Sequence, residues 1–133
     1  MPEMPEIPDY GPLPQPASLS EARAVLRQEA FTAPDVSSVT FKAQEFTALC
    51  PKTGQPDFGT IEITYEPGKL CLESKALKFY LWAYRSEGAF AETLAAQIAD
   101  DIFAAIAPKQ VEVIVSQNRR GGIDLQARAH RTR

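Results

Sequence analysis

The chain has 133 residues, 44% hydrophobic and 23% charged, with a formal net charge of −3. That length suits one domain, and the fractions are those of an ordinary globular protein. The acidic balance argues against a nucleic-acid binder, no apolar run approaches the roughly 20 residues of a membrane span, and a single His excludes His-rich zinc sites.

Pro2, Pro5, Pro8, Pro12, Pro14 and Pro16 crowd the start of the chain, where they block helix and central strand. Residues 1–18 are therefore expected to form an extended arm. The same stretch has neither the basic end nor the apolar run of a signal peptide. Ser20 stands where a helix N-cap would, before the helix formers EARAVLRQE.

From Ser37 the pattern turns to β-branched and aromatic residues. VTFKAQEFTALC reads as a strand that buries Val39, Phe41, Phe46 and Leu49. PKTGQPDFG is dense in turn formers. TIEITYEP then alternates, with Ile61, Ile63 and Tyr65 on one face. After the EPGK turn, ESKALKFYLWAYRSEG reads as a helix carrying Leu77, Leu81 and Tyr84, closed by Gly88. A further helix, about Glu92 to Ala107, repeats Leu94, Ile98, Ile102 and Ile106 before Pro108 stops it. VEVIVS alternates again, and past the NRRGG turn a short strand holds Ile123 and Leu125.

The order ββααββ predicts an α+β fold, a four-stranded antiparallel sheet with two helices on one face. Its open edges favour pairing with copies of itself. The expected organisation is an arm with a short helix over 1–36, a folded domain over 37–127 and a frayed basic tail over 128–133.

Two cysteines cannot build a disulfide scaffold, so a reducing, cytoplasmic compartment is expected. With one His, a Ser/His or Cys/His engine is a poor fit, and acid–base chemistry must rest on carboxylates, Lys, Cys or Tyr. Cys50 sits at a strand-to-loop junction with Lys52 to favour the thiolate and Asp57 seven residues on. It is either a nucleophile or a buried structural thiol, whereas Cys71 reads as core. Glu73 or Ser74 would cap the next helix, and Lys75 and Lys78 in its first turn make either an anion site or a solvated face. Glu92 either favours its helix N-terminus or grips paired N–H donors of a guanine-like base.

Together, Phe46-Thr-Ala-Leu-Cys50-Pro-Lys-Thr-Gly-Gln-Pro-Asp57-Phe and Glu73-Ser-Lys-Ala-Leu-Lys78-Phe-Tyr resemble the NADPH-dependent 7-cyano-7-deazaguanine reductases, nitrile reductases of queuosine biosynthesis, in their short single-domain form. The resemblance runs from about Phe46 to Ile123. It implies a tunnelling fold (T-fold) whose subunits join sheets into a barrel, with active sites between subunits. It also implies that Cys50 adds to the nitrile as a thioimide, that Asp57 supplies the proton, and that NADPH reduces the carbon twice. Leu72, Glu73 and Ser74 would line the base site beside Ala91, Glu92 would hold the base edge, and Lys75 and Lys78 would serve the cofactor phosphates. No metal is implied. One departure stands out: the family usually carries His before the base-binding Glu, and here that position is Ala91, while His130 is not its equivalent. Base binding is expected to survive and turnover to fall. The rival functions on this scaffold are ammonia transfer to the same nitrile, as in archaeosine formation on tRNA, and non-catalytic purine or pterin binding.

Overall fold

The computed structural model describes residues 16–133, with only the backbone of Arg120. The arm expected over 1–18 lies almost wholly outside them. Helix α1 (Leu19–Gln28) leads to the two-residue strand β1 (Phe31–Thr32), then to the long strands β2 (Val39–Leu49) and β3 (Pro56–Glu66). The short strand β4 (Leu70–Cys71) pairs with β1 and precedes α2 (Ser74–Trp82), a 3₁₀ turn (Ala83–Ser86) and α3 (Ala91–Ile106). Strands β5 (Gln110–Arg120) and β6 (Ile123–Thr132) complete an antiparallel sheet of order β2-β3-β5-β6. The expected ββααββ plan is thus present, with helices on one sheet face.

The alternation read from the sequence decides that face. Ile61, Ile63 and Tyr65 of β3 and Val111, Val113 and Val115 of β5 are buried in one core with Leu94, Ile98, Ile102 and Ile106 of α3. Burying each such side chain contributes about 1.5–3 kcal/mol. Gly59 has a steric reason to be glycine, because a Cβ there would run into the backbone carbonyl of Ser116 on β5. The β5–β6 hairpin turns on Gly121 and Gly122, both at positive φ (57° and 80°), as a two-residue loop of this kind requires.

Several local expectations are corrected. The cap of α1 is Ser18, whose Oγ accepts from Glu21 N–H at 3.1 Å. Ser18 lies three residues before Glu21, the spacing a cap needs, and Ser20 does not. Leu49 is only half-buried, with Ala48 in the core beside Phe46. The cause is a β-bulge between Ala43 and Phe46, which moves the core positions of β2 from odd to even numbers. α2 ends at Trp82 and tightens into the 3₁₀ turn, so Gly88 lies beyond it, bridged to Leu49.

The folded unit also extends on both sides of 37–127. Ala22, Val25 and Leu26 of α1 are fully buried in the common core. The last strand runs on to Thr132, so residues 128–132 are ladder rather than frayed tail, and Arg131 Nε meets Asp100 Oδ1 of α3 at 2.7 Å. His130 belongs to this strand and hydrogen-bonds Gln110 Oε1 at 3.2 Å.

A polar network invisible in the sequence locks the helical layer. Tyr80 of α2 donates to Asp101 Oδ2 of α3 at 2.6 Å and shares a 2.8 Å bond with Tyr84, while Arg23 Nε of α1 lies 2.9 Å from the same carboxylate. Burial pushes both phenols well above their ordinary range. Tyr84 stacks edge-on against Tyr80 and also meets Phe46, which ties the network to the sheet.

Candidate functional site

Cys50 follows β2 directly, and the next five residues fold back on it. Cys50 N–H donates to Gln55 O at 2.8 Å and Gly54 N–H donates to Cys50 O at 2.8 Å. Gly54 holds φ at +71°, a left-handed conformation that glycine adopts at no steric cost. The closed loop turns donors onto the thiol. The Thr53 hydroxyl, then the backbone N–H groups of Thr53 and Lys52, hold the Cys50 thiol below its ordinary value, and the negative charge of Asp57 works against them. Lys52 was expected to act through its ammonium, but its contribution is a backbone N–H.

Asp57 reaches the same place by strand register. Ala48 pairs with Asp57 and faces the helices. One alternation further along, Cys50 leaves β2 toward that face. Asp57 is half-buried, with Oδ1 enclosed.

The third element is the start of α3. Leu49 N–H donates to Glu87 O at 2.9 Å and Ala89 N–H to Leu49 O at 3.1 Å, so residues 87–89 lie alongside the last residue of β2. Ala91 and Glu92 therefore open α3 at the Cys50 end of the sheet. Ala91 is buried and lines a small open cleft together with Asp57, Phe46 and Phe58. Glu92 is exposed in the first turn of the helix.

The remaining candidates lie elsewhere. Leu72 is buried and its N–H donates to Tyr65 Oη at 2.9 Å, which seats the start of α2 at the far end of β3. Asp57 and Tyr65 are eight residues apart on one strand, or roughly 26 Å. Glu73 caps α2, its Oε1 and Oε2 accepting from Lys75 N–H (3.0 Å) and Ala76 N–H (2.8 Å). The helix start was expected to offer free N–H groups to an anion, and Glu73 occupies these two. Ser74, Lys75 and Lys78 are exposed. One chain thus holds two clusters, Cys50–Asp57–Ala91–Glu92 and Leu72–Glu73–Ser74–Lys75–Lys78, at opposite ends of its sheet.

The family model described as "QueF-like protein" matches residues 56–133. The chain belongs to the QueF-like family. A relative from Frankia casuarinae named NADPH-dependent 7-cyano-7-deazaguanine reductase is 50% identical over 108 residues, 80% of this chain and 86% of that protein. One of the same name from Anaeromyxobacter sp. (strain K) is 48% identical over 85 residues, 64% of this chain and 70% of that one. Among solved structures, the apo form of the archaeosine synthase QueF-Like is similar, with a TM-score of 0.69 at 24% identity over 73% of this chain and 95% of that one. At that identity the likeness concerns the fold alone, the α+β arrangement with an antiparallel sheet described above.

For this QueF-like chain, sequence reasoning missed Thr53, whose position next to Cys50 depends on how the loop closes. It also passed over two aromatics, Phe58 on the cleft wall and Phe90 just before Ala91, which are 56% and 49% exposed. For Phe58 a signal was present, since it falls on the opposite alternation from Ile61 and Ile63 and so on the face away from the helices.

Proposed function

We propose that the protein is an NADPH-dependent nitrile reductase that converts 7-cyano-7-deazaguanine to 7-aminomethyl-7-deazaguanine, the step of queuosine biosynthesis that its relatives are named for. The observation that carries this reading is the Cys50 thiol, held below its ordinary value by donors of its own loop at the end of the strand whose Ala48 pairs with Asp57, a residue that lines a cleft.

The Cys50 sulfur adds to the nitrile carbon as the Asp57 carboxylate takes the thiol proton, one C–N π bond opens, and Asp57 passes that proton to the nitrogen. The product is a thioimide on Cys50, with Asp57 again a carboxylate. NADPH supplies the two hydrides that, with two protons, make the nitrile a primary amine. Once the carbon has been reduced, its bond to the Cys50 sulfur breaks and the thiolate is released. Glu92, exposed in the first turn of α3, accepts paired N–H donors from the guanine-like edge of the base. Ala91 packs beside the base and offers no proton.

Lys75 and Lys78 fit a cofactor with phosphates, being two exposed ammonium groups in one helix turn. Leu72, Glu73 and Ser74 would meet the base, and each Glu73 oxygen keeps a lone pair beyond its cap bond. Because this cluster begins against Tyr65, roughly 26 Å along β3 from Asp57, a second copy of the chain supplies it, so that active sites form between subunits of a homo-oligomer. The unpaired thiols of Cys50 and Cys71 support a cytoplasmic setting.

The test mixes the protein with 7-cyano-7-deazaguanine and follows NADPH absorbance, with intact mass recorded in parallel. The expected result is cofactor oxidation together with a covalent adduct that vanishes in Cys50→Ala. An adduct without oxidation would overturn the reductase reading in favour of ammonia transfer, and neither signal would leave a binding protein.

A further inference from the structure

We propose that Gln117 is a specificity-determining residue, whose carboxamide hydrogen-bonds the polar heteroaromatic base in the cleft that Asp57 and Ala91 also line. On β5 the helix-facing positions run Val111, Val113 and Val115, all buried, and the next in the row is Gln117. Strand pairing carries this alternation unbroken to Gln117, which stands opposite Gly59 on β3 and Leu125 on β6. An apolar row thus turns polar at the point where it reaches the cleft, and the side chain there is half-buried. Among the described residues nothing hydrogen-bonds its carboxamide. A half-buried amide left without a partner weakens the fold, where another valine would strengthen it. A bound molecule with its own donors and acceptors offsets that loss.

The rest of the cleft leaves this task to Gln117. Ser116 borders it too, but alternation turns its side chain to the opposite face, where Ser116 Oγ accepts from Gln126 Nε2 at 3.1 Å. Gly59, directly across from Gln117, puts no side chain over the carboxamide, and Ala91 contributes only a methyl group. Asp57 lies on the same face as Gly59 and is the diagonal neighbour of Gln117, roughly 7–8 Å away, a span that one bound ring system bridges. The two side chains divide the work. Asp57 moves a proton, while neutral Gln117 donates through Nε2 and accepts through Oε1 without titrating.

The identity of the base rests on the nitrile-reductase reading above. The experiment titrates full-length protein carrying Cys50→Ala, which forms no adduct, with 7-cyano-7-deazaguanine in a calorimeter. It is repeated with Gln117→Met added, a substitution that keeps the length of the side chain and removes both hydrogen-bonding groups. Kd is expected to rise about tenfold, while the urea midpoint holds or rises. With Cys50 intact, Gln117→Met should raise KM for the base by a similar factor and leave kcat within about twofold. An unchanged Kd, or a rise that comes only with a lowered urea midpoint, overturns the proposal. Base binding by the Cys50→Ala protein, with no NADPH oxidation when Cys50 is present, would reject the reductase reading alone, and the change in Kd would still decide Gln117. A protein that binds no base overturns both.

Discussion

Asp57 on β3 and Ala91 at the first position of α3 line one cleft, although β4, α2 and the 3₁₀ turn separate them in sequence. The residue that stands where the resembled reductases carry His therefore opens beside the candidate proton donor. Its methyl group leaves room and no titratable proton. Ala91→His is expected to raise turnover with little change in affinity for the base, as read by the split between kcat and KM. No gain in kcat would mean that another group already delivers that proton.

Asp57→Asn should lower the rate of NADPH oxidation by roughly 10²-fold or more, the usual contribution of a placed proton donor. The same substitution removes the negative charge that raises the Cys50 thiol. Alkylation of Cys50 at neutral pH should then become faster while catalysis collapses. If both rates fell together, the site would have been distorted rather than discharged.

The Tyr80–Asp101 bond gives a stability prediction. Tyr80→Phe removes a 2.6 Å hydrogen bond to a carboxylate and should cost about 1.5–3 kcal/mol in urea unfolding. Its pH dependence also has a sign. Burial raises the folded phenol above its unfolded value near 10, so the contribution is complete below about pH 10 and is lost as pH climbs beyond it. Tyr80→Phe should flatten this alkaline loss.

Ala107 closes α3 at φ 45°, a left-handed cap carried by a residue with a Cβ. Ala107→Gly should therefore stabilise the fold by about 1 kcal/mol, seen as a higher denaturation midpoint with an unchanged slope.

Much of the architecture was legible because it is written in local periodicity. Alternation at Ile61, Ile63 and Tyr65 and at Val111, Val113 and Val115 named the buried sheet face, and the four-residue recurrence from Leu94 to Ile106 named the buried stripe of α3. Period and burial are coupled through backbone geometry, so they survive without knowledge of the partner. The bulge in β2 escaped because one extra residue changes no composition but flips every later side chain, which moved Leu49 out of the core and Ala48 into it. The length of β6 escaped for a related reason, since Arg128 and Arg131 read as solvated tail until ladder bonds and Asp100 receive them.

The candidate site divides in the same way. The sequence by itself determined the chemistry: a cysteine and an aspartate joined by one turn-rich loop, a glutamate at a helix start and two lysines in another first turn. Tertiary structure alone decided their placement. Register puts Asp57 on the face that Cys50 reaches, the Leu49–Gly88 bridge brings Ala91 and Glu92 to the same end, and the length of β3 carries Lys75 and Lys78 to the other. Spacing along a chain fixes distance only within one element, whereas distances between elements depend on pairing register and on where each helix is pinned.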